Sequence, residues 1–155
     1  MTVFRLSKLK YSRDLSGRGA EKSGGRWNSR GVGMLYTSDS RALCTAEIAV
    51  HTPLGNTPAD YYLSTIELPD ESGILEFAVS DLPTDWKSFP HSNSTQKVGD
   101  KFISEGQFLL FKVPSVVVPG DFNYLINPQH KDFSKVQLKN IESFEFDKRC
   151  LKDKV

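Results

Sequence analysis

Glu47 is the residue whose spacing first suggests chemistry. It follows Thr37-Ser38-Asp39-Ser40, a run with helix N-cap character. A helix is expected from about Arg41 to about His51, with Pro53 ending it. Leu43, Ala46 and Val50 fall at i, i+3 and i+7 on one face of that helix, and Glu47 is the i+4 position of the same face. The pattern therefore aims a carboxylate into an apolar stripe. A buried carboxylate is costly unless it is paired or hydrogen-bonded. One account is an acid that grips a ligand or acts in a partly closed pocket. The other is a structural ion pair with an arginine, or a stripe edge that reaches solvent. Spacing alone favours the second account.

Four other residues invite the same weighing. Arg26 sits in Gly24-Gly25-Arg26-Trp27-Asn28. Two glycines let the backbone approach a ligand or turn sharply, and a guanidinium fork can hold a phosphate through two bonds. A solvated loop arginine beside an anchoring tryptophan is the equal alternative. Arg5 lies inside an expected strand, on the face of Val3 and opposite Phe4 and Leu6, and reads by itself as a surface arginine. Tyr36 reads as a core aromatic with a satisfied hydroxyl. Ser115, in Val113-Pro114-Ser115-Val116, reads as a turn or bulge serine, with no histidine nearby in sequence to act as its base.

Several chemistries are absent from the sequence. There is no Gly-x-x-x-x-Gly-Lys-[Ser/Thr] phosphate loop and no Gly-x-Ser-x-Gly elbow. Gly17-Arg18-Gly19 and Gly31-Val32-Gly33 begin like dinucleotide fingerprints but lack the third glycine. Asn93-Ser94-Thr95 matches a glycosylation sequon that has no meaning in a chain that is not secreted. The two cysteines, Cys44 and Cys150, and the three histidines, His51, His91 and His130, are scattered, so no metal site is expected. The cysteines read as reduced structural thiols of a cytoplasmic protein. A net charge of +1 argues against nucleic-acid binding through bulk positive charge. No stretch approaches the ~18 apolar residues of a membrane span, and the N-terminus has no apolar leader core.

The 155 residues suit one domain, 1–155, with an ordinary 38% hydrophobic and 25% charged content. Strands are expected at Val3–Leu6, Met34–Tyr36, Tyr61–Leu68, Ile74–Phe77 and Val136–Phe146, the last bent or split. Residues 13–33 read as a glycine-rich loop, and Lys97–Ser104 as a further helix. Phe108–Val118 is a long apolar run that Pro114 should make an edge strand, a bulge or two shorter strands. Strands outnumber helices without alternating with them. That favours an α+β fold, a single compact domain of mixed, mostly antiparallel sheet with few helices.

Read in order, these segments resemble the RES domain family. The resemblance rests on Phe4-Arg5-Leu6, Gly19-Ala20, Gly-Gly-Arg-Trp-Asn at 24–28, Leu-Tyr-Thr-Ser at 35–38 and Ala-Glu-Ile-Ala-Val-His at 46–51. It continues through Ile-Glu-Leu-Pro at 66–69, Leu-Pro-Thr-Asp-Trp at 82–86 and Gln-Lys-Val-Gly-Asp at 96–100. Val-Pro-Ser at 113–115, Asn-Tyr-Leu-Ile-Asn-Pro at 123–128 and Phe-Asp-Lys-Arg at 146–149 complete it, so nearly the whole chain is covered. Cys44 stands where a small aliphatic is expected and Phe102 where tryptophan is frequent.

The resemblance implies an ADP-ribosyltransferase-like fold. It also implies a toxin held by a small Xre-like DNA-binding antitoxin that occludes the active site. The activity it implies is depletion of NAD by cleavage of the nicotinamide–ribose bond, through hydrolysis or phosphorolysis, with NAD as substrate and no cofactor or metal. Arg26, Tyr36, Glu47 and Ser115 become the catalytic set, and Arg5, Arg26, Trp27, Asn28, Tyr36 and Ser115 the NAD-binding set. Arg5 and Arg26 would take the phosphate and ribose end. Glu47 would bond a ribose hydroxyl and stabilise positive charge. The Tyr36 ring would pack on nicotinamide or ribose, and the Ser115 hydroxyl would position nicotinamide or a phosphate oxygen. Trp27 and Asn28 would shape the pocket. ADP-ribosyl transfer to a specific protein and a non-catalytic nucleotide-binding module are the alternatives. Oligomeric state, whether homodimer or a larger toxin–antitoxin assembly, is left open.

Overall fold

A computed structural model describes residues 1–52 and 58–151. The chain runs β1 (Thr2–Lys8), α1 (Arg18–Ser23), β2 (Leu35–Ser38), α2 (Arg41–His51), β3 (Tyr61–Glu67), β4 (Ile74–Glu76), α3 (Asn93–Glu105), β5 (Leu110–Pro114), β6 (Phe122–Ile126) and β7 (Gln137–Phe144). The strands form one seven-stranded sheet in the order β4-β5-β6-β2-β1-β3-β7. Among the described residues only β4–β5 is parallel, and the other pairings are antiparallel. This is the expected α+β architecture with few helices.

The central strands are apolar on both faces, as a sheet covered on both sides requires. Phe111, Val113 and Leu125 join Trp27, Met34, Trp86 and Phe102 in one cluster. Their strand neighbours Leu110 and Ile126 point the other way, to Val3, Leu35 and Ile66. A third cluster, Leu6, Cys44, Leu63 and Phe146, seats α2 on the sheet. Burial there pushes the Cys44 thiol up to about 11, which leaves it an inert core group.

Helix α2 has the expected bounds, and the Ser40 side chain accepts from the Leu43 N–H at 3.0 Å as its N-cap. Its buried face differs from the expected stripe. Leu43 and Cys44 are buried and Ile48 packs beside them, whereas Val50 is 61% exposed. The stripe is rotated toward 44 and 48, and Glu47 lies at its edge, half-buried. Pro53, the expected terminator, lies outside the described residues; the helix ends at His51 with Thr52 as its cap.

Other expectations are corrected. The 13–33 loop contains the short helix α1, capped by Gly24 at φ 70°. Helix α3 starts four residues before Lys97, at Asn93, and closes on Gly106 at φ 61°. The apolar run around Pro114 is one interior strand between β4 and β6, not an edge strand. It tolerates proline because β4 pairs only with Leu110–Lys112, so the missing N–H falls beyond the ladder. Strand β6, which the sequence reading did not assign, closes the gap between β5 and β2. Strand β7 is continuous and carries one extra residue opposite Thr65/Ile66. Among the described residues, no helix is long and apolar enough to cross a membrane.

Candidate functional site

A cleft of about 770 Å³ opens between α2, the Gly24–Trp27 loop and the ends of β5 and β6. Arg26, Tyr36, Glu47, Phe89, His91 and Asn123 are among the residues that face it. A smaller hollow of about 270 Å³ adjoins it and shares Tyr36, Glu47, His51 and Asn123. A third, of about 170 Å³, shares Arg5 and Tyr36 with the second and carries Arg18 and Asp14. Tyr36 borders all three. The largest cleft lies within the ~300–1,000 Å³ typical of small-molecule sites.

Glu47 reaches this cleft from α2. Its Oε1 accepts from the Ser115 hydroxyl at 2.9 Å and from Asn123 Nδ2 at 2.8 Å. Its Oε2 takes no hydrogen bond among the described residues. Ser115 is 3% exposed. Its oxygen accepts from the backbone N–H groups of Val117 and Val118 at 3.1 and 3.0 Å. A hydroxyl has one proton and two lone pairs, so both acceptor sites are occupied and the proton goes to Glu47. In this arrangement the bonds of the Ser115 hydroxyl go to the protein, two N–H groups and the Glu47 carboxylate.

Arg26 enters from the glycine-rich loop. One guanidinium nitrogen donates to the carbonyls of Trp86 and Ser88 at 2.8 and 2.9 Å, which leaves the other donors of the fork without a partner among the described residues. Desolvation lowers its proton affinity, and the charge of Glu47 opposes that shift. Such a group stays cationic at any physiological pH.

Beneath the cleft, Trp27 and Asn28 turn inward. Trp27 is 3% exposed and stacks edge-on against Phe111 at 5.4 Å, so it anchors the loop in the core. Asn28 is fully buried. Its Nδ2 donates to the carbonyls of Ala20 and Val32, and its Oδ1 accepts from the Tyr36 hydroxyl at 2.6 Å. Asn28 thus braces the loop from below. Burial raises the Tyr36 phenol well above its ordinary range. With the hydroxyl turned into this network, the ring is what Tyr36 presents to the cleft.

Arg5 stands apart from the main cleft. It lines the two smaller hollows, and it donates to the Tyr11 and Asp14 carbonyls at 3.0 and 3.1 Å. The tertiary fold thus joins Arg26, Tyr36 and Glu47 around one space, places Ser115 behind Glu47, and leaves Arg5 beyond Tyr36.

Helix α3 holds the Arg26 loop from the other side. Gln96 Nε2 donates to the Gly25 and Asn28 carbonyls, and Asp100 accepts from the N–H and hydroxyl of Ser29. Gly99 lets the helix meet the loop backbone directly. Four cleft residues escaped the sequence reading. His51 was legible as the i+4 partner of Glu47. Asn123 lay in a motif used only for resemblance. Phe89, 86% exposed, and His91 had no sequence signal.

The chain matches the model of the RES domain over residues 2–147. It is 38% identical to the Prs ADP-ribosylating toxin of a Sphingobium species, over 90% of this chain and 88% of that protein. It is 35% identical to Toxin Res of Yersinia enterocolitica, over 96% of this chain and 99% of that one. Its fold superposes on a chain of the M. tuberculosis MbcT–MbcA toxin–antitoxin complex with a TM-score of 0.74 at 23% identity, covering 93% of this chain and 84% of the other.

Proposed function

The chain belongs to the RES domain family, and from that membership and the cleft we propose that it is the toxin of a toxin–antitoxin pair and depletes NAD by cleaving the nicotinamide–ribose bond. One observation carries the reading. The Glu47 carboxylate has one oxygen fixed by two donors and the other unpartnered, in a cleft that also holds Arg26 and the Tyr36 ring. The names of the relatives support the toxin role.

The chemistry suits that equipment. The nicotinamide–ribose bond already bears a cationic leaving group. When it breaks, its electron pair leaves with neutral nicotinamide, so no strong general acid is needed. Positive charge develops on the ribose, as in glycoside cleavage. A fixed carboxylate stabilises that charge, and its unpartnered oxygen is available to a ribose hydroxyl. The remaining donors of Arg26 suit the pyrophosphate, and Arg5 and Arg18 in the third hollow offer further positive charge. Water or inorganic phosphate then forms the new bond to the ribose carbon, and a water acceptor releases its proton. The resemblance to an ADP-ribosyltransferase-like fold is consistent with this use of the cleft.

A chain that drains NAD must be silenced until needed. Val50 and Phe89, apolar and exposed beside the cleft, support occlusion by an antitoxin segment. DNA binding would then come from the antitoxin, of Xre-like type, in keeping with the +1 charge of this chain.

The test is nicotinamide release from NAD by purified chain, with and without inorganic phosphate, for wild type and Glu47→Gln. Release by the wild type, cut to a small residual rate in the variant, is expected, and its phosphate dependence separates phosphorolysis from hydrolysis. Equal release by both would remove Glu47 from the reaction. The relative named as an ADP-ribosylating toxin favours a second reading, transfer of ADP-ribose to a protein at the same site. Labelled NAD in a cell lysate would then mark a protein rather than yield only free products.

A further inference from the structure

The two donors on Glu47 Oε1 come from different parts of the fold. Ser115 belongs to the loop after β5, whereas Asn123 is on β6 and faces both larger hollows. Asn123 Oδ1 in turn accepts from the Ser38 hydroxyl at 2.7 Å. We propose that Asn123 is the positioning residue for Glu47, locked by Ser38, and that the chain Ser38–Asn123–Glu47 decides which carboxylate oxygen meets the substrate. The kinetic consequence rests on the NAD-cleaving reading above; the hydrogen-bond chain itself does not.

The order of donors follows from chemistry. An ionised carboxylate only accepts, so Asn123 must turn its NH₂ toward Glu47; the reversed amide would set oxygen against oxygen. That leaves Oδ1 for Ser38, whose hydroxyl can donate. The sheet builds the pair, because Ser38 and Asn123 are directly opposite in the β2–β6 register. Asn123 thereby ties α2 to the sheet at the site. With Oε1 held by two donors, rotation of the carboxylate would break both bonds, so Oε2 is the oxygen kept toward the cleft.

A carboxylate that stabilises developing charge must be held within about 0.5 Å of its working position. Asn123→Ala frees it on one side. The expected loss is ~10²-fold in kcat, the effect of a misplacement of about 1 Å, with KM little changed. Ser38→Ala keeps the amide but unlocks it, and should cost about 5–10-fold, the worth of one hydrogen bond.

Two measurements decide the matter. The first is the ¹H–¹⁵N spectrum of the Asn123 side-chain amide. One proton should lie downfield in the wild type and return toward the free-amide range in Glu47→Ala. An amide unmoved by that substitution overturns the hydrogen-bond chain. The second is a double-mutant cycle on kcat. Asn123→Ala should cost ~10²-fold alone and less than about 2-fold in a Glu47→Gln background, because it acts through Glu47. An equal loss in both backgrounds would mean that Asn123 acts independently and would overturn the positioning role. If the wild type consumes no NAD with any acceptor, the proposed function fails while the spectrum still judges the chain.

Discussion

The Tyr36 hydroxyl donates to Asn28 Oδ1 at 2.6 Å and accepts from the Trp27 N–H at 3.1 Å. The strand that borders the cleft and the loop that carries Arg26 are therefore joined by one buried phenol–amide pair. Asn28 extends the joint by donating to the carbonyls of Ala20 and Val32. Asn28→Ala would strand the phenol proton and the Val32 carbonyl, whereas the Ala20 carbonyl keeps the Gly24 N–H and the phenol oxygen keeps the Trp27 N–H. We expect a loss of at least about 1–3 kcal/mol, the desolvation penalty of one stranded group. Urea unfolding checks this: the midpoint should fall while the slope stays the same.

The raised Tyr36 phenol gives a signed pH dependence. Burial raises its proton affinity in the folded state, with the Trp27 N–H opposing. An acid whose folded value lies above its unfolded one contributes stability that is complete below the unfolded value, about 10 for tyrosine, and is lost as pH rises past it. Stability should therefore decline above pH ~10. In Tyr36→Phe that alkaline limb should be shallower, measured as the urea midpoint against pH. An unchanged limb would remove Tyr36 as its source.

Gly99 allows α3 to touch the Arg26 loop. A Cβ at this position would lie 1.6 Å from the Trp27 carbonyl oxygen, a rigid backbone atom. Gly99→Ala must push the helix off the loop and weaken the Gln96 and Asp100 bonds beside it. We expect at least the ~1–3 kcal/mol of an overpacked core. Nicotinamide release should fall too, even at temperatures where circular dichroism shows the chain folded.

Arg26→Lys keeps the charge but loses the fork. An ammonium group cannot hold both the Trp86 and Ser88 carbonyls and still present a planar pair of donors to a phosphate. We expect kcat/KM for NAD to fall by about 10–100-fold, the worth of one charged hydrogen bond. A rate equal to wild type would show that the fork does not matter.

The hydrophobic pattern and the punctuation by proline and glycine marked β1, β2, β3, α2 and the α+β class, because these signals are local. Strand β6 was not marked: Phe122-Asn123-Tyr124 is partly polar, and its pairing partners lie far away, at Leu35–Ser38 and Leu110–Pro114. Pro114 argued for an edge strand, a bulge or two shorter strands, and only the shortness of β4 makes it tolerable in one interior strand. The buried face of α2 was misread by including Val50, since spacing defines a stripe but not which edge of it the sheet covers.

For the site, sequence alone determined which residue types were present and, through resemblance, grouped Arg26, Tyr36, Glu47 and Ser115 as one expected set. Which partners each of them meets was decided by the tertiary structure. Ser115 and Glu47 are 68 residues apart and Asn123 and Glu47 are 76 apart, yet all three meet at one carboxylate oxygen. Whether a hydroxyl faces a ligand or spends its bonds on the protein depends on which donors and acceptors folding brings within 3 Å or so of it. Long-range pairing in the sheet sets those neighbours, and no local pattern of residues encodes them.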